Sequence, residues 1–396
     1  MVAATDRQYL QLGMKLPPEV PARPPAGDSA LHGWHMSRRR FLGLSLATAA
    51  AATSVRLLWD SGTPSRFTLG WVSPEVTLTS VNDYPLWVAL DLGYMRDLGV
   101  DLHLLSATDA ALMTRWRSEA SVSFPSPAAL VSAADRGIGT RAVFQLCSGS
   151  IFGFAFPTHG SRHRAQQLAG AVISVGDASW RQIVDPLLVE AGVDPRSVTT
   201  LAAGDHWLKL AQTKAVDAAL SWRGLEQTPQ GSGLDHRVGG KWSNLPGNAY
   251  AVDSPDHAEG AVIDGLTRFL KGTVMGLEFT EQNPRAAAQI VHRSVPGLAA
   301  AMTPQQTVDA IALTSSIYSD GKRRGLPWGY HEPARWQRYV EVAEQAGMLK
   351  SIDPRNLYTN RLITEANSID RTRVNLDAVM FGLDHGFRVT TSPTGG

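Results

Sequence analysis

Cysteine is almost missing from this chain: Cys147 is the only one in 396 residues. One thiol excludes an intrachain disulfide and a four-cysteine metal site, and it reads as a small core side chain beside Leu146. Lysine is absent from residues 66–146, so that stretch has no amine for a Schiff base with a cofactor carbonyl. No G-x-x-x-x-G-K-[ST] or G-x-S-x-G segment occurs, so neither nucleotide hydrolysis nor an α/β-hydrolase nucleophile is indicated. No internal repeat, heptad region or membrane-length apolar run is present. Charge of one sign does not dominate either. Residues 1–52 hold six of the chain's 37 Lys and Arg and three of its 36 Asp and Glu, which leaves 31 against 33 and a net charge of −2. That balance offers no surface for nucleic acid.

What is there begins with Ser37–Gly43, SRRRFLG. Arg38 and Arg39 form a pair, Arg40 follows, and Phe41–Val55 adds 15 uncharged residues, too few to span a bilayer and rich in Ala, Thr and Gly. Ala49-Ala50-Ala51 and Ala50-Ala51-Ala52 both fit a small-x-small cleavage site. This is the layout of a twin-arginine export signal over residues 36–52. Cys147 lies far from it, so no lipid-anchor cysteine is available, and the expected product is a free protein of the periplasm. Before Met36 stands a leader, residues 1–35, with prolines at 17, 18, 21, 24 and 25. Proline removes helix donors and fixes φ, so the leader reads as disordered, and translation is expected to start at Met36.

Further along, short strand patterns alternate with helical ones. Phe67–Val72, Val100–Leu105, Ala120–Phe124, Arg141–Leu146, Ala171–Val175, Val198–Ala202 and Asp217–Trp222 read as strands. Helical spacing covers Tyr84–Leu98, Ala110–Ser118, a helix opened by Ser126-Pro127, Trp180–Ala191 and His206–Thr213. From Ser254 onward the pattern is helical, at roughly 257–281, 284–293, 303–318 and 332–347. Such βα alternation predicts an α/β fold with mainly parallel sheet and helices on both faces. Residues 366–396 show no clear period and read as a tail.

The order of these segments resembles the periplasmic substrate-binding proteins of ABC importers, in the branch shared by nitrate, taurine, alkanesulfonate and thiamine-pyrimidine binding proteins. The resemblance rests on PLWVALDLGYMRDLGVDLHLL (Pro85–Leu105), ASVSFPSPAALVSAADRGIGTRAV (Ala120–Val143), QLAGAVISV (Gln167–Val175), LLVEAGVDPRSVTTL (Leu187–Leu201), KAVDAALSW (Lys214–Trp222), ARWQRYVEVAEQAGML (Ala334–Leu349) and NLYTNRLI (Asn356–Ile363). It covers about residues 66–363. The chain departs from the family pattern at Met95, Ala171, Ser174 and Ser123-Phe124-Pro125. The resemblance implies a type II periplasmic-binding-protein fold: two α/β lobes joined by two crossovers, closing like a hinge on a ligand. The crossovers are then expected near Ser150–Pro157 and Gly247–Ser254, with lobe one at 66–152 plus 252–365 and lobe two at 157–246.

Ligands of open α/β sheets sit beyond the carboxyl ends of strands. That rule selects Ser73, Asn82, Asp83 and Tyr84 after the first strand, Thr108 after the second, and Ser126 at a helix start. It adds Ser150 and Phe152 at the crossover, Asp177, Ser179 and Trp180 after Ala171–Val175, and Trp222 and Arg223 after the last strand of lobe two. Each has a plainer reading. Asp177 and Ser179 also fit a helix cap, Asn82 and Asp83 an Asx turn, and Tyr84 and Trp180 core packing. Trp222-Arg223 pairs an aromatic face with a fork of donors. With Arg223 the one cation near a strand end, the set favours a neutral or singly charged ligand with a planar or apolar part.

The resemblance implies a solute receptor serving an ABC permease in the inner membrane, exported by the twin-arginine translocase and acting as a monomer without chemistry. A ligand sensor of the same fold is the alternative. The pyrimidine-precursor synthase that shares the fold needs a pyridoxal-phosphate lysine and a cysteine-rich segment that this chain lacks. No cofactor is expected. His159 and His163 lie four apart in a basic loop and read as solvated surface rather than metal ligands. Mass spectrometry of the unprocessed protein is expected to find Met36 at its N-terminus. A peptide from residues 1–35 would overturn that start.

Overall fold

Two five-stranded sheets carry the described part of the chain. In the computed structural model this comprises residues 66–73, 81–106, 121–228, 230–253, 260–295 and 297–388. The leader, the export signal, the helix expected at 110–118 and Thr108 lie outside the described residues. The first sheet contains β1 (Phe67–Ser73), β2 (Val100–Ser106), β3 (Ser121–Ser123), β4 (Thr140–Gln145) and β10 (Ala249–Asp253), in the order β2-β1-β3-β10-β4. The second contains β5 (Phe152–Pro157), β6 (Val172–Val175), β7 (Thr199–Ala202), β8 (Ala218–Trp222) and β9 (Leu234–Val238), in the order β7-β6-β8-β5-β9.

The sheets are mixed, which corrects the expectation of mainly parallel sheet. β1 runs parallel to β2 and β3, and β6 parallel to β7 and β8. β10 pairs antiparallel with β3 and β4, and β5 antiparallel with β8 and β9. The segments expected as crossovers, Ser150–Pro157 and Gly247–Ser254, contain β5 and β10. Their sequences explain it. FGFAFP is buried along almost its whole length, and a buried backbone must pair its N–H and C=O groups. Arriving from the other sheet, each segment runs against its neighbours.

Helices flank the strands. The run expected as one helix at 84–98 is broken: α1 (Tyr84–Asp91) stops before Gly93, whose φ of 73° is the left-handed conformation that ends a helix, and a separate turn, Tyr94–Asp97, follows. α2 (Pro127–Asp135) starts where expected, with Ser126 Oγ accepting from Ala129 N at 3.4 Å and Pro127 in the first turn. α3 (Arg181–Glu190) and α4 (Trp207–Gln212) serve the second sheet. The later helices are α5 (Gly260–Gln282), α6 (Pro284–Ser294), α7 (Pro304–Tyr318), α8 (Pro333–Gln345) and α9 (Arg371–Met380). α5 lies so close to α1 that a Cβ at Gly276 would stand 2.1 Å from the Pro85 carbonyl oxygen, so only glycine permits that approach.

The stretch that read as a patternless tail contains α9. It is capped by Asp370, packs on α5 and buries only Val374 and Ala378, leaving Leu376, Val379 and Met380 exposed. Two inward residues are too few to show a period. The helical C-terminal part also divides between two cores. α5, α6, α7 and α9 join the core under the first sheet, whereas Trp336, Tyr339 and Val340 of α8 join Phe154, Ile173 and Leu187 in the second.

The two passages between the sheets are clasped together. Gln145 at the end of β4 donates its side-chain amide to Cys147 O at 2.9 Å and Gly247 O at 2.6 Å. Backbone bonds Cys147 N→Asn248 O (3.0 Å), Gly247 N→Cys147 O (3.1 Å) and Ser150 N→Leu245 O (2.8 Å) continue the clasp. His331, fully buried, holds the other end of the amide through Nδ1 and Gln145 Oε1 at 2.7 Å. A carbonyl oxygen can only accept, so Nδ1 carries the proton. Burial pushes the His331 pKa from 6.5 down to about 3, which keeps the ring neutral. The unfolded chain therefore binds one more proton between those values, and stability rises with pH through that window. From this group alone, acidification below about pH 6.5 should cost up to about 1.4 kcal/mol per pH unit. Denaturant unfolding across the window should give His331→Asn a shallower slope than the parent. Equal slopes would show that His331 does not stay neutral in the fold.

Candidate ligand-binding site

In the second sheet the parallel strands β7, β6 and β8 end at one edge, and a tryptophan closes or follows each. Trp207 opens α4 after β7, Trp180 closes the short turn Ala178–Trp180 after β6, and Trp222 is the last residue of β8. The three rings touch. Trp207 and Trp222 stack with centroids 5.8 Å apart and planes at 20°. Trp180 stands edge-on to both, at 5.6 Å and 6.0 Å. All three are half-buried. Trp207 was not selected from the sequence, although the same strand-end rule applies to β7. Its indole N–H donates to Leu220 O at 3.0 Å, which fixes its ring.

Arg223 follows Trp222, and its side chain leans along the same edge towards the end of β9. A Cβ at Gly239 would stand 3.1 Å from its Nη2. It is half-buried, and no side-chain hydrogen bond or ion pair joins its guanidinium among the described residues. Its charge reaches across to Cys147, where it slightly opposes the effect of burial. Asp177 and Ser179 form the cap: Asp177 Oδ1 accepts from Ser179 N at 2.8 Å and from Ser179 Oγ at 2.6 Å. Those bonds lower the Asp177 pKa, the hydroxyl bond most. Both residues are exposed.

Ser126, Ser150 and Phe152 meet in a small pocket, partly open to solvent, which Pro127, Ile183, Pro186, Leu187, Leu245 and Tyr339 also line. Both passages between the sheets contribute to its wall. Ser126 Oγ is occupied by its cap, and Ser150 Oγ accepts from Phe152 N at 3.3 Å.

The first-sheet candidates form a third group. Asn82 and Asp83 precede α1, and Asn82 O accepts from Tyr318 Oη at 2.9 Å. Tyr84 is fully buried and stacks on Tyr318 at 5.5 Å, so that ring face is taken by protein. Among the described residues the Tyr250 hydroxyl is buried with no hydrogen-bond partner, while that of Tyr84 lies beside Ser315, and burial raises both phenol pKa values, which keeps them protonated donors. Sequence reasoning missed Tyr250 and Tyr318, because nothing local marks them as neighbours of Asp83. Ser73 closes β1 at the same edge of the first sheet.

One arrangement resembles an activated nucleophile. Ser221 Oγ lies 2.7 Å from His236 Nδ1, and His236 Nε2 lies 2.7 Å from Gly231 O. The carbonyl requires a proton on Nε2, leaving Nδ1 as acceptor for the serine. Ser221 is fully buried, so its hydroxyl is closed off from solvent. Among the described residues no group of three His, Cys, Asp or Glu side chains could hold a metal ion.

A family model described as NMT1/THI5 like matches residues 80–287. No curated protein sequence matches the chain. Among solved structures, a protein of Bordetella bronchiseptica RB50 is similar at TM-score 0.56 and 16% identity, covering 76% of this chain and 96% of that one. A putative periplasmic sulfonate-binding protein SsuA of Methylobacillus flagellatus KT gives 0.54 and 9%, over 76% and 94%. The alkanesulfonate-binding protein SsuA of Xanthomonas axonopodis pv. citri, bound to MOPS, gives 0.51 and 13%, over 78% and 100%. These likenesses establish the periplasmic-binding-protein fold.

Burial pushes the Cys147 thiol up to about 12, so almost no thiolate exists near neutrality. A disulfide reagent at about pH 8 should leave native Cys147 unmodified and label it once denaturant unfolds the chain. Rapid labelling of the native protein would contradict its place beneath the clasp.

Proposed function

This chain belongs to the NMT1/THI5-like family, and we propose that it is a solute-binding protein that captures one small anionic or organic molecule and delivers it to an ABC permease. The ligand site is the space between the carboxyl edges of the two sheets, with lobe one at 66–152 plus 252–365 and lobe two at 157–246. Export through the twin-arginine translocase, a free monomeric state in the periplasm and binding without chemistry belong to the same reading. No described helix is long and apolar enough to cross a membrane.

The observation that carries it is Arg223. Several half-buried arginines of this chain have carboxylates, Arg162 with Asp217, Arg181 with Asp185 and Arg335 with Glu332, and Arg285 donates instead to Phe387 O. Removing a cation from water without a counter-charge is costly. At Arg223 a ligand anion supplies that counter-charge, bound by the guanidinium fork. The sulfonate-binding relatives support an anionic cargo.

A thermal-shift panel of nitrate, bicarbonate, sulfonates, pyrimidines, flavins and aromatic carboxylates tests the proposal. A ligand at 100 times its Kd should add about 2.7 kcal/mol to the unfolding free energy. For an anionic hit, Arg223→Ala should weaken binding by about 1.5–3 kcal/mol, the worth of hydrogen bonds to a charged group. Unchanged affinity would remove Arg223 from the site.

A further inference from the structure

The second-sheet edge reads in space as Trp207, Trp180 and Trp222 over β7, β6 and β8, followed by Arg223 leaning towards β9. A contiguous apolar patch rimmed by polar groups can mark a ligand-binding surface, whereas apolar side chains scattered singly over a surface are ordinary. Trp71, Trp242, Trp328 and Trp336 are buried in the cores and Trp87 packs half-buried against the first, whereas these three half-buried rings gather at one sheet edge. The indole N–H groups of Trp180 and Trp222 also have no protein acceptor among the described residues, while that of Trp207 does.

Resting on the solute-binding reading above, we propose that this edge selects an aromatic monoanion, its flat body laid on the indoles and its acidic group on Arg223. Ring spacing separates this from a cage for a quaternary ammonium. Centroids 5.6–6.0 Å apart mean rings in mutual contact, with no gap for a cation between them, and the adjacent guanidinium repels one. The cluster is a platform. Inorganic anions and short alkyl anions engage Arg223 but leave the indoles wet. The nearby carboxylates do not compete for Arg223: Asp177 is turned to Ser179, and Glu226 accepts from Gly224 N at 2.8 Å.

Calorimetric titration of the exported form with naphthalenesulfonate, naphthoate, methanesulfonate and trimethylglycine tests the assignment. The expected result is aryl anions binding at least about tenfold tighter than methanesulfonate, through buried apolar area and ring contact. Trp180→Leu, at a turn position with no indole bond to lose, should shrink that ratio while leaving methanesulfonate affinity near the parent's. Trp222→Phe serves as a second variant should the first unfold. Comparable binding of aryl anions and methanesulfonate, or equal weakening of both in the tryptophan variants, overturns the platform and leaves the solute-binding reading intact. Preferential binding of trimethylglycine overturns it in favour of a cage. No binding by any of the four overturns the platform, and the solute-binding reading falls with it only if the wider panel is also silent.

Discussion

One side-chain amide ties the two halves of this molecule together. Gln145 hands its two N–H donors to carbonyls of both passages between the sheets, Cys147 and Gly247. Each passage alone is a short irregular segment whose buried carbonyls would be costly to leave unpaired. Clasped, they become one strap, and their continuations, β5 and β10, enter the sheets as antiparallel strands. The neutrality of His331 sustains this, because a protonated ring in that buried place would carry an uncompensated charge. A hinge between lobes concentrates its backbone change in a few connecting residues, and these passages are the connections between the sheets.

The strap also decides where the chemistry of binding can happen. Arg223 N donates to Ile151 O at 2.9 Å, so its backbone is anchored beside the strap, and its charge is felt at Cys147. On one flank the edge is aromatic and half-wet. On the other, the first sheet contributes protonated phenols beside Asp83. That combination suits recognition: fixed donors, an unpaired cation and apolar area. The Ser221–His236 pair lies in the second sheet, with Ser221 fully buried.

Much of the strand–helix order was legible because each unit carries its own signal. Val172–Val175 is a buried apolar run, and Ser126-Pro127 is a capped helix start. What escaped had no local signature. FGFAFP reads as an apolar segment, and only its partners β8 and β9 make it a central antiparallel strand. The break at Gly93 and the helix Arg371–Met380 were lost to weak periodicity. At the site, the strand-end rule found Trp180, Trp222 and Arg223 but not Trp207, and it could not know that Tyr84 spends a ring face on Tyr318. Side-chain company is a tertiary fact, set by residues hundreds of positions apart.

The central claim is capture without conversion. Its most direct test is titration of the exported form with the ligand found for it, followed by denaturation and mass analysis of what is released. The account predicts one ligand per chain, recovered chemically unchanged after prolonged incubation. A released product differing from the ligand added, or turnover beyond one equivalent, would contradict it.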